Sequence, residues 1–203
     1  MNEDRIGNYK VEKFPKLRRV IVDTVEEGRK RHHMKGMLEV NITQARTKIR
    51  KFYEQTGFKL SFTAWIVKSV AEALRKDPKL YAKRVRNKIY YFEDIDISVM
   101  IERDIDGKKF PILYVIRKAD TKSLKSITNE IREGQNITKQ QYLKQNKKNR
   151  LKTFVSLPKV LRYLFFWRKM KHNPFFQKKH AGLVNITAVG MFGDVAGWPL
   201  INS

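Results

Sequence analysis

Between Ser61 and the pair Asp77-Pro78 the chain has little choice of conformation. Phe62, Trp65, Ile66, Ser69, Val70, Ala73 and Leu74 recur at spacings of three and four, which on a 3.6-residue repeat lines one face of a helix. Ser61 offers a side-chain oxygen to cap its first turn, and Pro78 stops it. An apolar face this wide is expected to pack across a sheet. Strands are expected at 88–92, at 95–102, where Ile95, Ile97, Val99 and Ile101 share a face, and at 110–116. Asp106-Gly107 suits the turn between the last two. A further helix opens at Asp120 or Thr121, with Leu124, Ile127 and Ile131 inward and Gly134 after its end. The pattern predicts an α+β fold in which helices cover a largely antiparallel or mixed sheet.

Residues 1–16 lack periodicity and read as an N-terminal arm, leaving 17–203 as one core domain. Leu17, Val20, Ile21, Thr24 and Val25 have helical spacing. The stretch 34–42 alternates as a strand does, and Thr43 is the expected N-cap of a helix with Ala45, Ile49, Phe52 and Tyr53 inward, ending at Gly57. From 136 to 150 the chain is polar and basic, a solvated helix face or a loop. A dense aromatic and basic segment follows, marking an insertion at about 150–180, and a last strand is expected at 183–189. Pro158 permits a helix from near Leu157 whose stripe would be Val160, Leu161, Leu164, Phe165 and Trp167, bordered by Arg162, Arg168 and Lys169. Such a stripe calls for a cover, either its own domain, a neighbouring subunit or an anionic lipid interface reached through 154–170.

The 44 Lys and Arg against 20 Asp and Glu give a formal net charge of +24, a field that draws polyanions at low salt and serves solubility equally well. The absence of cysteine excludes disulfides, thiolate metal sites and cysteine nucleophiles, so histidine is the expected general base. The start lacks a signal-peptide pattern and no long uncharged apolar run occurs, from which a cytoplasmic protein is expected. Motif tests are otherwise negative. Neighbouring His32 and His33 diverge too widely to chelate one metal, and no metal site is expected. Asp104-Ile105-Asp106-Gly107 lacks the further oxygen ligands of a calcium loop. Gly190, Gly193 and Gly197 fit neither a P-loop nor a dinucleotide fingerprint. The aromatics do not interleave as a base-stacking platform, so nucleic acid is not expected as a partner.

Four blocks together resemble the catalytic core of the dihydrolipoyl acyltransferases of 2-oxoacid dehydrogenase complexes, a chloramphenicol-acetyltransferase-like family. Glu39-Val40-Asn41-Ile42-Thr43 is similar to the family's strand-to-helix entry. The stretch from Leu60-Ser61-Phe62-Thr63 through Lys68-Ser69-Val70-Ala71-Glu72-Ala73-Leu74 to Asp77-Pro78-Lys79-Leu80 resembles its most specific helix, with Tyr81 where the family usually has Asn. Asp106-Gly107, Pro111-Ile112 and Ala119-Asp120-Thr121-Lys122-Ser123-Leu124 resemble a third block. Asn185-Ile186-Thr187-Ala188-Val189-Gly190-Met191-Phe192-Gly193 resembles a fourth.

The resemblance implies a two-layer α+β fold and acyl transfer between a thiol and coenzyme A, or from an acyl-coenzyme A or acyl-thioester donor to a small acceptor. It also implies a homotrimer with sites between subunits. Thr187 stands at the family's serine position, whose hydroxyl would hold the oxyanion of the tetrahedral intermediate, and Arg18 matches an arginine that orders the active site. The family's histidine motif, H-x-x-x-D-G, lies beyond that hydroxyl position and does not occur in these 203 residues; His172 and His180 precede Thr187. The chain as given is therefore expected to be a fragment or a degenerate member, and inactive on its own. A non-catalytic trimeric scaffold of the same fold and a basic membrane-surface or nucleic-acid module are the alternatives.

Overall fold

In the computed structural model, residues 10–15, 18–105, 108–136, 154 and 156–188 are described, with backbone alone for 103–105 and 108–110. The centre is a three-stranded mixed sheet. Strand β3 (Ile97–Ile105) pairs antiparallel with β4 (Lys108–Ile116), from Ile97 opposite Ile116 to Ile105 opposite Lys108. Its other edge pairs in parallel with β5 (Val184–Ile186), from Ile97 opposite Val184 to Val99 opposite Ile186. The expected Asp106-Gly107 turn lies outside the described residues. A separate hairpin joins β1 (Ala82–Val85), which the sequence reading missed, to β2 (Lys88–Tyr91).

Helix α3 (Phe62–Lys76) forms as expected, and the Ser61 hydroxyl accepts from the Ala64 N–H. The face it buries is turned from the one expected. Thr63, Ala64, Val67, Ala71 and Leu74 are buried, whereas Ser69 and Ala73 are exposed and the large Phe62, Trp65, Ile66 and Val70 lie half-buried beside the contact. Small side chains let the helix approach its neighbours closely, and the aromatic pair Phe62 and Trp65 stacks at 5.3 Å on its flank. Helix α4 (Leu124–Asn136) begins later than Asp120, because Ser123 is the residue whose hydroxyl caps it by accepting from the Ser126 N–H. It also runs through Gly134 instead of ending before it. A Cβ at Gly134 would stand 3.0 Å from Ile101 Cδ1 and 3.2 Å from the Tyr114 ring, so the missing side chain is what seats α4 on the sheet. Ile127 and Ile131 of α4 join Ala64, Val67, Ala71, Ile97, Val99, Ile101 and Ile116 in one core. The Thr128 hydroxyl ties the two helices, donating to the Leu124 carbonyl and accepting from the Ser61 N–H.

Helix α1 (Arg18–Arg29) lies where expected. The strand expected at 34–42 does not form. No regular structure runs through 32–42, and Met34, Met37, Leu38 and Val40 are exposed, since alternation supplies a face but no hydrogen-bonding neighbour. Helix α2 (Thr43–Thr56) ends at Gly57 in the left-handed region, φ 66°, as expected. Its cap differs from expectation: Ile42 holds the cap position, and Asn41 Oδ1 accepts from the Thr43 N–H. Tyr53, expected inward, is half exposed. Beyond Pro158 a continuous helix, α5, runs from α-helical Lys159–Arg162 through a π turn at Tyr163–Trp167 to Arg168–His172; α6 (Pro174–Ala181) follows. β5 is shorter than the expected 183–189, and Val189 lies outside the described residues.

Gly182 connects α6 to β5 at φ 65°, ψ −178°, a region essentially closed to side-chain-bearing residues. A Cβ there would also stand 2.5 Å from the buried Ser98 Oγ. Gly182→Ala is expected to cost roughly 3 kcal/mol, and Gly57→Ala, strained in the open, about 1 kcal/mol. Urea denaturation of both variants measures the difference; equal losses would remove the special role of Gly182.

Candidate functional site

Asp96, the residue before β3, organises the end of the sheet from which β5 departs. Its carboxylate is 5% exposed and accepts from Arg117 at 2.8 Å, from Lys178 at 3.0 Å and from the Lys118 N–H at 3.0 Å. Its own N–H and carbonyl both meet the Tyr81 hydroxyl at 2.9 Å. Burial pushes the Asp96 carboxyl up, but the Lys118 N–H and the two cations outweigh it and hold the group below the usual carboxylate range. Burial likewise pushes the Tyr81 phenol up to about 12, so it stays a proton donor. Arg117 also donates to the carbonyls of Lys178 and Lys179, closing the C-terminal end of α6. Ser98, fully buried, donates to the Ala181 carbonyl at 2.5 Å. The last turn of α6 is thus fixed from several directions just before Gly182 turns the chain into β5. Tyr81 stood out in the sequence only as a departure from the family's usual Asn; Asp96, Ser98, Arg117 and Lys178 carried no signal, each a single polar residue among many.

Thr187 follows β5 directly and is exposed. Its placement is therefore set by the parallel pairing of β5 with β3 and, through Gly182, by the Asp96 cluster. Arg18, the first residue of α1, is also exposed; its N–H donates to the Pro15 carbonyl at 3.0 Å. No hydrogen bond or ion pair joins the side chains of Arg18 and Thr187 among the described residues. Of the histidines, His33 Nε2 lies 3.0 Å from the Gly28 carbonyl and His180 Nδ1 lies 2.9 Å from the Phe176 carbonyl, so the structure ties both to neighbouring backbone.

A second feature was not anticipated. An open groove of about 690 Å³ runs between α2, the start of α3 and α4, with Ile49, Leu60, Phe62 and Ile131 as apolar wall. Arg46, Arg50, Lys59 and Arg132 supply positive charge along it. Arg46 stacks over Phe62 at 4.7 Å, and Arg132 lies 5.3 Å over Phe58 while donating to the Lys59 carbonyl. These contacts leave fixed guanidinium groups beside apolar surface, an arrangement suited to a ligand with both anionic and apolar parts. The sequence marks Ile49, Leu60, Phe62 and Ile131 only as helix or family positions, and none of the groove's cations.

The architecture defines the class. The chain superposes on dihydrolipoamide acetyltransferase of Azotobacter vinelandii with a TM-score of 0.65, at 15% identity, over 100% of this chain and 72% of that one. It superposes on a probable dihydrolipoamide acetyltransferase of Listeria monocytogenes with a TM-score of 0.61, at 24% identity, over 96% and 70%. A TM-score of 0.62 relates it to the cubic core of a pyruvate dehydrogenase multienzyme complex, at 15% identity over 100% and 72%. The fold is the chloramphenicol-acetyltransferase-like α+β fold of acyltransferase cores.

Sequence narrows this further. The family model of the 2-oxoacid dehydrogenases acyltransferase catalytic domain matches residues 7–155, and the chain belongs to that family. The lipoamide acyltransferase component of the branched-chain α-keto acid dehydrogenase complex of Bacillus subtilis is 35% identical over 103 residues, 49% of this chain and 23% of that protein. The dihydrolipoyllysine-residue succinyltransferase of Buchnera aphidicola is 31% identical over 126 residues, 60% of this chain and 31% of that protein. The chain thus spans about a quarter to a third of the length of these relatives.

Asp96→Asn is expected to lower stability at pH 7 by roughly 3 kcal/mol, the low end for breaking a buried ion pair, because Arg117 is partly exposed and regains water. The native carboxyl is held below its unfolded value. Its contribution is therefore complete above about pH 4 and fades as pH falls through the depressed native value. Thermal melts from pH 7 to pH 2 should show wild type and variant converging at the acid end; a constant gap would mean the charge is not what matters.

Proposed function

We propose that this chain is an acyltransferase core that works with coenzyme A, moving an acyl group between coenzyme A and a thiol. Membership of the acyltransferase family carries this reading, and the exposed hydroxyl of Thr187 at the end of β5 supports it. That hydroxyl is free to donate to a developing oxyanion, a contact made only as the tetrahedral intermediate forms and therefore one that raises turnover more than binding. The groove of Arg46, Arg50, Lys59 and Arg132 fits the chemistry of coenzyme A, whose phosphates need cations and whose remaining chain accepts apolar walls. The family's H-x-x-x-D-G pattern does not occur within these 203 residues, so the reading assigns the role of general base to none of their histidines. Arg18 serves as a positioning residue at the start of α1. A cytoplasmic homotrimer is the assembly this reading expects, by the likeness to multienzyme-complex cores.

Calorimetry should show coenzyme A bound by the 203-residue chain and weakened about tenfold or more by Arg46→Ala with Arg50→Ala. The same chain should give no acetyl transfer from acetyl-coenzyme A to dihydrolipoamide. When the histidine-bearing segment is supplied, Thr187→Val should lower kcat roughly a hundredfold, while Thr187→Ser should be mild. Failure to bind coenzyme A would favour the scaffold alternative, and robust turnover by the 203 residues alone would overturn the assignment of the base. Light scattering should find trimers; a clean monomer, with or without a family segment carrying the histidine motif appended, would count against the assembly.

A further inference from the structure

The helix α5 divides the apolar segment in two. Toward the body it turns Arg162, Phe166, Trp167 and Met170, with Phe166 packed on Phe154 at 5.2 Å and on Phe176 at 5.7 Å. Arg162, expected at the border of an apolar stripe, is instead buried and makes a bidentate pair with Asp23 of α1, at 2.7 and 3.0 Å. Away from the body it exposes Val160 (74%), Leu161 (38%), Leu164 (50%) and Phe165 (65%). Of the stripe for which a cover was expected, from its own domain, a neighbouring subunit or lipid, Trp167 turns inward, while Val160, Leu161, Leu164 and Phe165 are displayed to the outside. Because Arg162 bolts the helix to α1, this face is a fixed surface, held in place whether or not anything covers it.

Charge says what would cover it. The sequence carries no acid between Glu133 and Asp194, while thirteen Lys and Arg stand there: five from Lys139 to Arg150, two at Lys152 and Lys159, and six from Arg162 to Lys179. On α5 itself Arg168 and Lys171 are exposed and have no ion-pair partner among the described residues. A second copy of this chain, with 20 acids against 44 bases, has little acidic surface to offer such a face. Nucleic acid would meet the charge but gain nothing from Val160, Leu161 and Leu164, which offer no ring for a base to stack on. A bilayer surface rich in anionic lipid meets both halves at once, taking aliphatic side chains among its acyl chains and cations among its headgroups. The described helices include none long and apolar enough to cross a membrane, so α5 would lie in the interface, its axis along the surface.

We propose that the outer face of α5, Val160, Leu161, Leu164 and Phe165 with Arg168 and Lys171, is a docking surface for anionic lipid. The test is co-sedimentation of the 203-residue chain with vesicles of equal parts phosphatidylcholine and phosphatidylglycerol, and with vesicles of phosphatidylcholine alone. Binding is expected to the first and not to the second. Leu164→Asp with Phe165→Asp should weaken it about tenfold or more, and so should Arg168→Glu with Lys171→Glu. Both pairs are exposed, so their melting temperatures should match the wild type, and circular dichroism checks this. Should the aspartate pair unfold the protein, Leu164→Ser with Phe165→Ser replaces it. No binding by the wild type overturns the proposal, as does binding indifferent to the apolar substitutions, which would leave only a diffuse polybasic attraction. A fall in oligomer mass caused by Leu164→Asp with Phe165→Asp also overturns it, because the face would then be an interface between copies.

Discussion

A carboxylate buried among cations governs this molecule. Asp96 sits where β3 begins, β4 ends and α6 closes, and it gathers Arg117, Lys178 and the Lys118 N–H onto two oxygens. In a chain with more than twice as many bases as acids, such a group is scarce and its position is informative. Without it, Arg117 and Lys178 would repel each other across the end of the sheet, and α6 would lose the contacts that aim its last turn at Gly182. Asp23 does the same for α5, taking Arg162 in a two-pronged bond across 139 residues of sequence. Two aspartates thereby organise the basic C-terminal half around the sheet and α1.

This division of labour separates the fold's interior from its chemistry. Among the described residues, the core around Ala64, Val67, Ala71, Ile97, Val99, Ile101, Ile127 and Ile131 has a single titratable member, Tyr81, and its hydroxyl is bonded to the Asp96 backbone. Its neighbours make close contact through small residues, as Gly134 against Ile101 and Tyr114 shows. Charges and the hydroxyl of Thr187 are held at the margins, where strand ends and helix ends meet. A rigid apolar interior with polar groups at element ends gives an acyltransferase-family fold precise placement of a few side chains without burying unpaired charge.

What could be read in the sequence was whatever repeats locally. Alternation from Ile95 to Ile101 and the spacing of Leu124, Ile127 and Ile131 predicted β3 and α4 because period follows directly from backbone geometry. The same logic placed α3 but turned its face: the spacing of Phe62, Trp65, Ile66, Ser69, Val70, Ala73 and Leu74 pointed to one side, whereas close helix packing buried Thr63, Ala64, Val67, Ala71 and Leu74. For 34–42 it predicted a strand, yet a strand exists only where another offers hydrogen bonds, and that cannot be seen in one segment. Thr187 was reachable only through family resemblance, being exposed and ordinary by composition. Asp96, Arg117 and Lys178 were out of reach, since nothing in the order of residues says that 21 or 61 positions along the chain another charge will arrive.

The two partners of β3 arrive at very different times. β4 follows it after two residues, and α3 precedes both, so most of the core is complete when the chain has emerged only as far as α4. β5 comes far later, with Asn185 opposite Ser98 of β3, and the bond from Ser98 to Ala181, at the end of α6 just before it, already spans 83 residues. During synthesis the free edge of β3 at Ile97–Val99 therefore stands open for as long as that intervening chain takes to be made. An open strand edge pairs with any extended segment that meets it, and the strongly basic stretch that is made next gives every nascent copy a like charge, which keeps other copies away until β5 closes the edge.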